Sequence, residues 1–83
     1  MEITLKLFAS LSDYLPEGSD KQAARLEIME GETAYSVLDR FRVPREAAHL
    51  VLLNGIYMQP DERGQSALKE GDTLAVWPAV AGG

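Results

Sequence analysis

The 83-residue sequence predicts an α+β fold, a mixed sheet of four or five strands with one main helix packed across it. Three observations carry this. Period-two alternation of apolar residues marks both ends of the chain, a single helical stripe lies in the middle, and clusters of glycine, proline and aspartate separate the segments. One amphipathic helix must bury its stripe, and a sheet of this width supplies the matching face.

The first strand runs from Glu2 to Ala9, with Ile3, Leu5, Leu7 and Ala9 expected on one face and Thr4, Lys6 and Phe8 on the other. Pro16-Glu17-Gly18-Ser19-Asp20 marks a loop, and Leu11, Tyr14 and Leu15 suggest a short helical turn before it. Ala24, Leu26 and Ile28 alternate with Arg25, Glu27 and Met29 in a second strand, expected antiparallel to the first. Thr33 is a candidate N-cap, although Ser36 stands where a capping box prefers Glu or Gln. Ala34, Val37, Leu38 and Phe41 follow at helical spacing, and Pro44 ends the helix near Arg42 or Val43. Arg45 to His49 reads as a connecting turn and Leu50 to Leu53 as a third strand. Asn54-Gly55 is a tight hairpin turn into a short return strand at Ile56 to Met58. Glu62 to Lys69 reads as irregular or one helical turn, and Glu70-Gly71-Asp72 leads into a last strand from Thr73 to about Ala79. Two strands, one helix, then two or three strands is the β-grasp (ubiquitin-like) arrangement. We expect one domain over residues 1–78 and a flexible tail over 79–83.

Composition excludes several functions. There are no cysteines, which removes disulfides, thiolate metal sites and a cysteine nucleophile. The single histidine, His49, offers no metal cluster, and no serine sits in a nucleophile elbow. Glu30/Glu32 and Asp61/Glu62 fall at turns, where solvated carboxylates are expected. The net charge of −5 disfavours nucleic acid, because phosphate binding is driven by lysine and arginine. Arg40, Arg42 and Arg45 make a modest basic cluster, read as a solvated helix end. No apolar run reaches the roughly 20 residues needed to cross a bilayer, and Glu2 and Lys6 interrupt the N-terminal apolar segment. A cytoplasmic protein that binds no membrane is the expectation.

The C-terminus is the chemically distinctive part. Thr73 to Gly83 contains no charged side chain in a chain that is 25% charged overall. Beyond Pro78 no side chain exceeds valine, and Gly82 and Gly83 have none. Four residues past Ala79 reach on the order of 13–14 Å, enough to thread a terminal carboxylate into another protein's active site. Glycine permits close backbone approach there. Chance, or an apolar final strand that is merely core, is the plainer account of this run. The aromatics weigh against it. Strand parity places Phe8 and Trp77 on the sheet face away from the helix, with Tyr57 near the hairpin to join them. Such an open apolar patch either marks a partner surface or is two rings covering each other.

These residues resemble the MoaD/ThiS family of ubiquitin-like sulfur carriers. The resemblance spans essentially the whole chain through Leu7-Phe8-Ala9, Glu32-Thr33, Leu53-Asn54-Gly55, Leu68-Lys69-Glu70-Gly71-Asp72 and Trp77 to Gly83. The tail is similar to the Phe-Pro-Pro-Val-x-Gly-Gly ending of MoaD, the small subunit of molybdopterin synthase, with Trp77 for the phenylalanine and Ala79 for the second proline. A terminal carboxylate, with an ordinary pKa of about 3.5, is ionised at neutral pH and a poor electrophile. The resemblance implies that a MoeB- or ThiF-like enzyme adenylates Gly83 with ATP. A sulfur donor protein then supplies the sulfur of a terminal thiocarboxylate. It implies delivery to a MoaE-like large subunit in molybdopterin biosynthesis. Gly82 and Trp77, Pro78, Ala79, Val80 and Ala81 would line the docking segment, and Phe8 and Tyr57 match positions that meet partners. On this reading the chain binds no cofactor and catalyses nothing alone. Sulfur delivery to thiazole for thiamine or to tRNA, a ubiquitin-like protein modifier, and a binding module with an incidental tail are the alternatives.

Overall fold

The computed structural model describes residues 1–79. Five strands form one sheet in the order β2-β1-β5-β3-β4. β1 (Glu2–Leu7) pairs antiparallel with β2 (Ala23–Glu27) and parallel with β5 (Thr73–Trp77). β3 (Leu50–Leu53) pairs antiparallel with β5 and with the two-residue β4 (Ile56–Tyr57). The first and last strands thus lie side by side at the middle of the sheet, and the one α-helix among the described residues, α1 (Ala34–Arg40), covers one face.

Register decides which residues share a face. Ile3 opposes Leu26, Leu5 opposes both Ala24 and Leu74, and Leu7 and Val51 both oppose Val76. All of these are buried, and they meet Ala34, Val37 and Leu38 of α1 in one core. Removing each large aliphatic side chain from water contributes about 1.5–3 kcal/mol. The opposite face carries Thr4, Lys6 and Phe8 from the first strand, Ala75 and Trp77 from β5, Leu50 and Leu52 from β3, and Tyr57 at the edge.

Three boundaries differ from the sequence expectation. β1 stops at Leu7, and Ala9, expected on the buried face, is exposed and opens a 3-10 helix, Ala9–Tyr14, with φ of 53°. β2 ends at Glu27, which leaves Met29 77% exposed, although Ile28 keeps the strand's parity and is buried. β5 ends at Trp77 rather than Ala79, because Pro78 has no N–H to continue the ladder.

The ends of α1 are set locally. The Thr33 hydroxyl accepts from the Ser36 amide at 3.2 Å, and the Ser36 hydroxyl accepts from the Thr33 amide at 2.8 Å. Serine therefore closes the capping box for which glutamate was expected. At the other end, the Arg42 amide donates to the Asp39 carbonyl and the Val43 amide to the Leu38 carbonyl, each at 3.0 Å. This is a Schellman closure, and it terminates the helix at Arg40, earlier than the proline alone implies. Its left-handed position is filled by Arg42, with φ of 63°.

Candidate functional site

The site is built where β1 and β5 end together. Parallel pairing brings the C-terminal ends of both strands to the same edge of the sheet, so Phe8 arrives beside Trp77. Their rings stack with centroids 4.3 Å apart and planes 4° from parallel, and both residues are half-buried. The plainer reading, that the two rings cover each other, therefore holds for one face of each. The backbone is clamped at the same place. The Phe8 amide donates to the Val76 carbonyl at 3.1 Å, and the His49 amide donates to the Trp77 carbonyl at 3.0 Å. His49 thus acts through its main chain as the chain leads into β3. Beyond the Trp77 carbonyl, half-buried Pro78 leads to exposed Ala79.

Leu50 and Leu52 extend the aromatic stack across the open face. Leu50 opposes Trp77, and Leu52 opposes both Ala75 and Tyr57. Both leucines are half-buried. Sequence reasoning treated them only as part of a strand, though the unbroken run Leu50-Val51-Leu52-Leu53 was the available signal, since alternating positions of a strand face opposite sides. Tyr57 lies two strands from β5, about 10 Å away at ordinary strand spacing. It belongs to the same face as Phe8 and Trp77 without touching them, and it is 44% exposed.

The other half of the face, over β1 and β2, is polar. Lys6 lies opposite Ala75 and Ala23, and Arg25 pairs with Glu2 at 3.7 Å in an exposed contact. An open hollow of about 490 Å³ lies there beneath the loop at 16–20, lined by Thr4, Glu17, Ser19, Asp20 and Arg25 among others. It is mixed in character and remote from the end of β5. Among the described residues no group of three His, Asp or Glu side chains could hold a metal ion, and no helix is long and apolar enough to cross a membrane.

The residues expected to matter separate into three sets. Phe8, Trp77 and Pro78 stand together at the end of β5, with Ala79 following. Tyr57 shares their face from the edge. Val80, Ala81, Gly82 and Gly83, including the predicted reactive carboxylate, lie outside the described residues. Two members of the basic cluster, Arg40 and Arg45, are taken up in ion pairs on the helix layer. Arg40 meets Glu32 at 2.6 Å, and Arg45 holds Asp39 through two bonds of 3.2 and 2.7 Å while lying 4.6 Å from the Tyr35 ring centroid. The Met29 amide, against a smaller opposing desolvation, holds Glu32 below the usual carboxylate range, with help from Arg40. The Arg45 hydrogen bonds do the same for Asp39.

The turn residues at 54–55 and 69–73 are structural. Asp72 accepts from the Lys69 amide at 2.8 Å and the Asn54 side-chain amide at 2.9 Å, while the Asn54 side-chain oxygen, Oδ1, accepts from the Thr73 amide at 2.8 Å. Asn54-Gly55 turns with φ of 51° and 82°, the left-handed pair of a type I′ hairpin. This clamp ties the β3–β4 hairpin to the start of β5, which sets the register of the strand that carries Trp77.

A sheet of this topology crossed by one helix, with its last strand in the centre, defines a ubiquitin-like β-grasp protein. The chain belongs to the ThiS family, whose model matches residues 5–83, and so to the MoaD/ThiS-like family. Among solved structures it is similar to SAMP1 from Haloferax volcanii, with 26% identity, a TM-score of 0.67 and full coverage of both chains. It is also similar to a putative molybdopterin converting factor, subunit 1, from Pyrococcus furiosus, at 20% identity and TM-score 0.62, over 95% of this chain and 98% of that one. The small archaeal modifier protein 1 from Methanosarcina acetivorans matches at 22% identity and TM-score 0.63, over 99% and 96% of the two chains. The latter two are likenesses of fold. No curated protein matches.

Proposed function

We propose that the protein is a sulfur carrier whose Gly83 carboxylate is the reactive group. The observation that carries this is the family match, which runs through the last residue, Gly83. The geometry supports it, since β5 releases the chain at Pro78 beside an apolar face able to seat a partner. In the proposed cycle an E1-like adenylating enzyme of the MoeB or ThiF kind joins the Gly83 carboxylate to the α-phosphate of ATP and releases pyrophosphate. Sulfide equivalents from a sulfur donor protein then displace AMP, breaking the acyl–oxygen bond to the nucleotide and forming a terminal thiocarboxylate. The carrier delivers that sulfur to an acceptor enzyme, foremost a MoaE-like subunit in molybdopterin biosynthesis. Phe8, Leu50, Leu52, Tyr57 and Trp77 form the docking face, and Pro78 to Gly82 the segment that enters the acceptor. The β-grasp domain over 1–78 is the handle and catalyses nothing alone.

Incubation with the adenylating enzyme, ATP and sulfide tests this. The expected result is an intact-mass gain equal to replacement of one oxygen by sulfur, located at Gly83. No gain beside a working control carrier overturns it. A second reading, a protein modifier, is favoured by the full-length likeness to SAMP1 and by the modifier name its Methanosarcina counterpart bears. It expects isopeptide adducts on lysines, seen in lysates as a ladder that disappears when Gly83 is removed.

A further inference from the structure

Arg63 is the one charged side chain buried among the described residues, at 4% exposure. It follows Pro60-Asp61-Glu62 and precedes Gly64, a context that reads as solvated turn, so nothing in the sequence marks it. A guanidinium stays ionised under all physiological conditions, and out of water it must find acceptors. Its Nε donates to the Met58 carbonyl at 3.1 Å, one terminal nitrogen to the Ala48 carbonyl at 3.1 Å, and the other to the Tyr57 hydroxyl at 3.2 Å. The guanidinium carbon lies 5.5 Å from the Tyr57 ring centroid. None of the ion pairs among the described residues involves it.

Two consequences follow. β4 has two residues, each with one cross-strand partner in β3, so the ladder alone holds Tyr57 weakly. Arg63 adds the missing tie by joining the approach to β3, the end of β4 and the Tyr57 side chain. The second consequence concerns protons. Arginine only donates, so the Tyr57 oxygen is the acceptor in their bond, and the hydroxyl proton remains available. It has no acceptor among the described residues, and Tyr57 is 44% exposed.

We propose that Arg63 is a positioning residue. It fixes Tyr57 at the rim of the docking face with its hydroxyl presented outward as a donor, to meet a hydrogen-bond acceptor, a carboxylate or main-chain carbonyl, on the adenylating enzyme. This rests on the docking role given to the open face above. A simple structural pin would stabilise the hairpin equally well but would not couple Arg63 to the hydroxyl in partner binding.

Calorimetric titration of the full chain into the adenylating enzyme distinguishes the two, using Arg63→Lys, Tyr57→Phe, the double variant and Trp77→Ala, each with a thermal melt. Arg63→Lys and Tyr57→Phe should each weaken binding roughly 3- to 10-fold, the worth of one hydrogen bond, and the double variant no more than the weaker single one. Additive losses, or an Arg63→Lys variant that melts earlier but binds normally, overturn the proposal. Should Arg63→Lys fail to fold, Tyr57→Phe decides, since unchanged affinity then removes the outward donor. If Trp77→Ala also binds normally, the docking face itself is at fault. If Trp77→Ala weakens binding while Tyr57→Phe does not, only the role of Arg63 falls.

Discussion

Phe8 and Trp77 lie almost parallel, 4.3 Å between ring centroids, at the point where β5 lets go of the chain. The pair joins the end of β1 to the end of β5 and forms the apolar floor from which Pro78 departs. Stacked aromatic pairs contribute about 0.5–1.5 kcal/mol beyond their buried area. Replacing Trp77 with alanine should therefore lower stability by about 1–3 kcal/mol in urea unfolding. The Phe8→Ala and Trp77→Ala cycle should show a coupling of about 0.5–1.5 kcal/mol. Strict additivity would mean that the contact carries no energy of its own.

Among the described residues, every core residue lies at or before Val76. Deleting Gly82 and Gly83 is accordingly expected to leave the thermal midpoint unchanged while abolishing thiocarboxylate formation. Differential scanning calorimetry paired with intact-mass analysis reads both effects. A truncated chain that still gained sulfur would place the chemistry elsewhere.

Arg42 occupies a left-handed position, φ 63°, at the end of α1. A residue with a Cβ is strained there, and glycine is the residue that position favours. Arg42→Gly should stabilise the fold by up to about 1 kcal/mol, the larger freedom of glycine in the unfolded chain offsetting part of the relief. Arg42→Ala serves as the control for loss of the charge and should give no such gain.

Asp72 gathers the Lys69 amide and the Asn54 side chain, and Asn54 in turn holds the Thr73 amide. Asp72→Ala should cost about 1–3 kcal/mol, since two donors lose their acceptor. It should also speed hydrogen exchange at the Thr73 and Lys69 amides before the rest of β5. Uniform protection throughout β5 in the variant would mean that the clamp does not hold the strand's start.

Glu32 and Asp39 both titrate below their ordinary values in the folded chain, through bonds to the Met29 amide and to Arg45 respectively. A carboxyl whose folded pKa is depressed adds stability that is complete above its unfolded pKa and is lost as pH falls through the folded one. Stability should therefore be flat near neutrality and decline below about pH 4.5, near the unfolded carboxylates. Asp39 is exposed and Glu32 half-buried beside an exposed Arg40, so each contribution is small and screened by salt. Glu32→Gln should flatten the acid limb of a urea-midpoint-against-pH curve, and an unchanged limb would show that the pair is energetically silent.

Much of the sheet was legible because β1 and β2 alternate over at least four residues, and a one-step slip would expose the whole apolar set. Ile3-Leu5-Leu7 and Leu74-Val76 declare their inward face, and by parity they also declare Phe8 and Trp77 as outward. Ala9 misled because its small apolar side chain extends the alternation by one residue, while the backbone turns sharply there. Ser36 was undervalued because its hydroxyl can both accept from the Thr33 amide and donate to the Thr33 carbonyl, at 2.8 and 2.9 Å. Arg63 was invisible because its burial depends on carbonyls from residues 48 and 58, which only the folded hairpin brings to it.

From its own residues the chain determined the alternation, the helical stripe, the turns and the uncharged glycine-ended terminus. Those are local facts, set by side-chain period and backbone freedom. The meeting of Phe8 with Trp77, the burial of Arg63 and its grip on Tyr57 were decided by tertiary structure. They arise from parallel pairing of segments some seventy positions apart and from a hairpin folding back over a guanidinium, and no window of neighbouring residues contains either.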